Sequence, residues 1–106
     1  MAEEKKQFQL IVCIVNAGYS QNVMEAARAA GARGGSIVRG RDSANPQAEE
    51  FFNITIQPDK ELVLILVQEE IRDEVMRTIY KNCGLSTEGI GIVFALPVSR
   101  TTFIRE

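Results

Sequence analysis

The stretch Phe8-Gln9-Leu10-Ile11-Val12-Cys13-Ile14-Val15 decides how this chain must fold. It is rich in β-branched side chains and is bounded by Asn16-Ala17-Gly18, which predicts a strand over 8–15 and then a turn. Both alternating sets are apolar: Phe8, Leu10, Val12 and Ile14 on one side, Ile11, Cys13 and Val15 on the other. Side chains in a strand alternate between faces, so this strand has no face suited to water. Leu62-Val63-Leu64-Ile65-Leu66-Val67 is the strongest strand signal in the chain, and Ile90-Gly91-Ile92-Val93-Phe94-Ala95-Leu96 predicts another of the same kind.

Between these strands the pattern changes period. Ser20 is the expected N-cap of a helix over 21–30, with Val23, Ala27 and Ala30 on one face and Gly31 ending it in a left-handed conformation. Gly34-Gly35-Ser36 leads into a short strand at Ile37-Val38-Arg39. Polar residues over 41–50 form a loop with Asn45-Pro46 as its turn signal. Residues 51–56 read as extended, and Pro58-Asp59 as a bend or bulge. In the second helix Ile71, Val75, Ile79 and Cys83 recur every four residues, with Glu69, Glu70, Arg72, Asp73 and Glu74 on the wet side. Its acidic start and Lys81 near its end suit the helix dipole, and Gly84 closes it. Pro97 is expected to break the last strand, and 101–104 to form an extended tail.

The expected fold is therefore α+β: a ferredoxin-like βαββαβ sandwich, with an antiparallel four-stranded sheet and two helices on one face. The 106 residues form a single domain over 1–106, with flexible ends at about 1–6 and 105–106. Two short helices cover only one face of such a sheet. Burying one Ile or Val is worth roughly 1.5–3 kcal/mol, so a wet second face would forfeit several such terms. Another subunit's sheet is the natural cover, and the pattern calls for an oligomer.

Composition narrows the function. A formal net charge of -2 argues against a general nucleic-acid binder. The absence of histidine excludes histidine-based acid/base catalysis and most zinc or copper sites. Cys13 and Cys83 form no CxxC and read as reduced core thiols of a cytoplasmic protein. The apolar runs 10–15 and 62–67 are far too short to span a bilayer, and no segment of signal-peptide length precedes the first strand.

Three pieces of the chain resemble the PII family of nitrogen-signalling proteins, in particular a divergent branch with a short loop. They are Ile14-Val15-Asn16 running into Val23-Met24-Glu25-Ala26-Ala27 and Gly31; Gly34-Gly35-Ser36-Ile37-Val38; and Gly89-Ile90-Gly91-Ile92-Val93-Phe94-Ala95-Leu96-Pro97-Val98. The resemblance implies a homotrimer with sheets facing its axis. It implies a small-molecule effector, typically an adenine nucleotide, in clefts between subunits, and a loop after the second strand that docks on a regulated protein such as a membrane transporter. The cleft residues it implies are Gly34, Gly35, Ser36, Arg39, Arg41, Gly89, Gly91 and Arg105. The partner-binding loop, within a T-loop-like segment at about 41–50, is Asp42, Ser43, Ala44, Asn45, Pro46 and Gln47, which is expected to be mobile when the protein is alone. Ile92 stands where the family has a phosphate-binding lysine, Phe103 replaces one tail arginine, and Asn16 lies where the family often has lysine. These departures predict weak ATP binding, since each lost charge-assisted contact costs roughly 1.5–3 kcal/mol.

Apart from the resemblance, the glycines also fit ordinary turns, the arginines fit solvated side chains, and the cysteines fit core packing. Two other functions suit the same fold. One is a stand-alone small-molecule-binding module; the other is a small hydrolase of acylphosphatase type, for which no nucleophile or carboxylate pair at a plausible spacing is found. A regulator rather than an enzyme is the expected class, with no nucleic-acid partner and no metal.

Overall fold

In the computed structural model, which describes residues 7–41 and 59–102, the element order is β1 (Phe8–Asn16), α1 (Ser20–Ala29), β2 (Ser36–Arg41), β3 (Asp59–Gln68), α2 (Glu69–Cys83) and β4 (Ile92–Val98). The strands form one sheet in the order β2-β3-β1-β4, and every pair is antiparallel. This is the βαββαβ ferredoxin-like arrangement, with β1 and β3 central because their two apolar faces need neighbours on both sides.

The two faces of the sheet meet different surroundings. Ile11, Cys13 and Val15 of β1 and Val63, Ile65 and Val67 of β3 lie under the helices. There they pack with Val23, Met24 and Ala27 of α1 and with Val75, Ile79 and Cys83 of α2. Both predicted helix stripes are thus in the core, with Ile71 and Ala30 at its margin. The opposite face carries Leu10, Val12 and Ile14, flanked in register by Leu66, Leu64 and Leu62 of β3 and by Leu96, Phe94 and Ile92 of β4. Among the described residues no element packs over this face. Ile92, Phe94 and Leu96 are 52%, 40% and 49% exposed, an apolar surface of the kind that marks an interaction site.

Several local expectations are corrected. Ser20 is the first helical residue, not the cap; Tyr19 occupies the cap position and makes no side-chain cap bond. Gly31 follows the helix with φ of 112°, as expected of a helix stop. Gly84 ends α2 in an extended conformation (φ -76°, ψ -165°) rather than a left-handed one, because its backbone turns to bridge Gly91. Asp59 belongs to β3 and is no bulge: Asp59, Lys60 and Glu61 pair with Arg41, Gly40 and Arg39. The last strand begins at Ile92 and not at Ile90, whose N–H is held by the Thr87 carbonyl in a turn. Pro97 does not break β4. It pairs with Gln9 on an edge strand, where a missing N–H need cost no ladder bond. The expected extended run 51–56, Pro58 and the end of the tail lie outside the described residues.

Replacing Ile65, which is fully buried beneath the helices, by Ala should cost about 2–5 kcal/mol. Urea unfolding followed by circular dichroism would measure it; a loss under 1 kcal/mol, on the order of a surface change, would contradict the core assignment.

Candidate functional site

At one end of the sheet the strands place charged residues where apolar ones would otherwise continue. Asn16 closes β1 opposite Lys60, and Lys60 lies opposite Gly40 of β2. Lys60 and Glu61 are adjacent and so point to opposite faces. Glu61 keeps phase with Val63 and Ile65 beneath α1, while Lys60 keeps phase with Leu62 and Leu64 on the uncovered face. Each is only 7% exposed, and buried charge persists only with partners.

Glu61 finds them at the start of α1. Its Oε1 accepts the backbone N–H groups of Gly18 and Ser20, both at 3.1 Å. That satisfies helix-start donors which Tyr19 leaves open, so the cap comes from the neighbouring strand. Burial alone would raise the Glu61 pKa. The Ser20 hydroxyl, the Gly18 and Ser20 amides and the charge of Arg39 outweigh it and hold the carboxyl below its ordinary range.

On the other face, Lys60 Nζ donates to Asn16 Oδ1 at 2.6 Å. Asn16 in turn holds the turn that precedes β4. Its Nδ2 donates to the Glu88 carbonyl at 3.2 Å and its backbone N–H to the Gly89 carbonyl at 3.0 Å. The Tyr19 hydroxyl donates to Glu88 Oε1 at 2.9 Å. Within this turn Ile90 has φ of 47°, a left-handed conformation costing a β-branched residue about 1–2 kcal/mol. The bonds on either side of Ile90, including Gly91 N–H to the Cys83 carbonyl at 2.7 Å, hold it there.

The predicted site residues divide by position. Arg39 and Arg41 share one side of β2, as expected. Arg39 lies opposite Glu61, and Arg41 forms an exposed ion pair with Asp59 at 3.4 Å. Gly35 is a packing position: a Cβ there would lie 2.6 Å from the Leu64 carbonyl oxygen and 2.9 Å from Ile65 Cγ1. At Gly91 a Cβ would meet the Cys83 carbonyl and lie 2.9 Å from Val15 Cγ1. Gly34 faces open space, and Ser36 is exposed opposite Leu64. The group at 34–41 and the group at 89–91 belong to opposite edges of the sheet, since β2 and β4 are its outer strands. Three strand spacings, roughly 14 Å, separate those edges. Arg105, Phe103 and the loop residues 42–47 lie outside the described residues.

The thiols are chemically quiet. Burial, and then the nearby Cys83, pushes the Cys13 thiol up to about 12, and burial also raises Cys83. Among the described residues no group of three or more metal-ligating side chains comes together, and no helix is long and apolar enough to cross a membrane.

Four residues of this cluster were not singled out from sequence: Lys60, Glu61, Tyr19 and Glu88. A signal for the first two existed. Carrying the alternation of 62–67 back by two positions puts one charge on each apolar face. Tyr19 and Glu88 are far apart in sequence, and only the fold joins them.

Glu61 also makes stability depend on pH. A carboxyl whose folded pKa is lowered contributes stability that is complete above its unfolded value, near 4.5, and is lost as pH falls through the folded one. Glu61→Gln should be less stable than wild type by about 1–3 kcal/mol at neutral pH. Denaturant titrations at several pH values should show that gap closing in acid, whereas a gap that widens in acid would contradict the assignment.

With the geometry in place, comparison with known proteins identifies the family. The family described as nitrogen regulatory protein P-II matches residues 8–106. Similar folds include the Arabidopsis thaliana PII bound to citrate, with TM-score 0.66 and 24% identity, covering 90% of this chain and 78% of that one. A PII-like signalling protein of Thermus thermophilus gives TM-score 0.66 and 13% identity, covering 88% and 87%. The B. subtilis GlnK–ATP complex gives TM-score 0.62 and 14% identity, covering 88% and 83%. At these identities the structures speak for the fold alone, and no curated protein matches in sequence. The match over residues 8–106, on a βαββαβ sheet of this order, places the chain in the nitrogen regulatory protein P-II family, whose members are regulatory signalling proteins rather than enzymes.

Proposed function

We propose that this protein is a homotrimeric cytoplasmic P-II regulator. On this reading it senses a small anionic molecule in clefts between subunits and controls a partner, such as a membrane transporter or a metabolic enzyme, in nitrogen or related metabolism. One observation carries the reading: the two groups of candidate ligand residues lie on opposite edges of a sheet whose second face is apolar and uncovered. A single copy cannot bring Gly34, Gly35, Ser36, Arg39 and Arg41 against Gly89 and Gly91. Copies packed through that face can, and the same contact buries the exposed side chains.

The ligand chemistry follows from the cations. Arg39 and Arg41 share one face of β2 at one end of the sheet, while Lys60 points to the other face there, and Arg105 is proposed to join the two arginines from the tail. Citrate and ATP are bound by the Arabidopsis and B. subtilis proteins named above, and both are polyanions. Ile92 supplies no charge, and Phe103 removes a second cation, so a compact carboxylate anion suits this chain better than a triphosphate. The loop Asp42, Ser43, Ala44, Asn45, Pro46 and Gln47 is proposed to contact the partner. The segment 42–58 leaves and re-enters the sheet at the Arg41–Asp59 ion pair, beside the cations that a ligand would engage.

Calorimetry tests the ligand reading. Without two charge-assisted contacts, ATP should bind on the order of a hundredfold or more weakly than to a relative with both cations. Single Ala substitutions of Arg39, Arg41 and Arg105 should each weaken citrate binding if they are ligand contacts. Submicromolar, magnesium-dependent ATP binding would overturn the expected preference. For the loop, deletion of residues 43–47 should leave the melting temperature nearly unchanged and abolish capture of the regulated partner; retained capture would reduce the loop to a connection.

A further inference from the structure

Asn16 is buried at the end of β1, and three of its hydrogen bonds have different jobs. Its Oδ1 accepts from Lys60 Nζ at 2.6 Å. Its Nδ2 donates to the Glu88 carbonyl at 3.2 Å, and its main-chain N–H donates to the Gly89 carbonyl at 3.0 Å. The partners fix the orientation of the amide, because only its oxygen can face an ammonium and only its nitrogen can face a carbonyl. Neither Asp nor Leu can do both: Asp lacks the donor, and Leu lacks both groups. The side chain therefore joins two segments distant in sequence, the start of β3 and the turn at 88–89. The turn it holds contains the strained Ile90, a conformation that persists only where the surroundings over-determine it.

We propose that Asn16 is a positioning residue that couples the Lys60 ammonium to the 84–91 turn, so that whatever engages or displaces Lys60 also shifts the order of that turn. A purely local role for Asn16 would stabilise its own surroundings without passing a change at Lys60 onward to the amides of the 84–91 turn. The use of this coupling by a ligand rests on the functional reading above. The coupling itself does not, and its test needs no ligand.

The test is amide hydrogen exchange on the whole protein, reading the Asn16 and Ile90 amides, which bond to the Gly89 and Thr87 carbonyls, relative to the core amide of Val75. Lys60→Met should speed both about three- to tenfold, the equivalent of losing roughly one buried hydrogen bond. Lys60→Arg keeps a cationic donor and should stay within about twofold of wild type. In an Asn16→Asp background, which lacks the donor to Glu88, adding Lys60→Met should produce no further change at Ile90. Unchanged exchange in Lys60→Met, equal exchange in the Arg and Met variants, or an undiminished Met effect in the Asn16→Asp background would each overturn the proposal. Should Asn16→Asp not fold, the contrast between Met and Arg at position 60 decides the matter alone.

Discussion

Helices of ten and fifteen residues shield one face of a four-stranded sheet, while the other face is just as apolar and has no element over it among the described residues. The rest of the structure depends on that imbalance. The helix-side face supplies the core, with Ile11, Cys13, Val15, Val63 and Ile65 packed against both helices. The outer face has Val12 at its centre and Ile92, Phe94 and Leu96 along one edge, partly in water. At roughly 25 cal/mol per Å² of apolar surface, covering this face is a large favourable term, which a monomer would forgo.

The sheet ends as deliberately as it begins. Where the apolar alternation of β3 runs out, Lys60 and Glu61 put one charge on each face; Lys60 finds its partner at the end of β1, and Glu61 in the turn and first residue of α1 that follow. Glu61 takes the place of a missing helix cap, and Lys60 anchors Asn16. Through Asn16 and Tyr19, the turn before β4 is tied to the same point. Polar residues from β1, β3 and this turn are thereby linked at one end of the sheet, the end at which β2 leaves for and β3 returns from the segment 42–58. The Arg41–Asp59 ion pair joins the two strand ends at this point.

Much of this was legible in the sequence, for physical reasons. Period-two alternation in 8–15 and 62–67 and the four-residue recurrence of Ile71, Val75, Ile79 and Cys83 specify element type directly. The double-sided apolar pattern of β1 specifies the uncovered face. Local exceptions were harder to read. Pro97 suggested a break, but sequence does not show that its strand is an edge. Ser20 looked like a cap, but the carboxylate that does the work comes from β3, forty-one positions away. Gly35 and Gly91 suggested ligand approach, and their close contacts with Leu64 and Cys83 show a packing requirement that holds without any ligand. The Asn16–Lys60–Glu88 connection could not be read at all, because its members come together only through tertiary pairing.

Whether copies of this chain cover the outer face decides how the sheet is used. Light scattering coupled to size exclusion, at micromolar concentration, measures this directly. Packing through the outer face predicts a single species at three times the 11.8 kDa chain mass; a stable, fully folded species at the mass of one chain would contradict it.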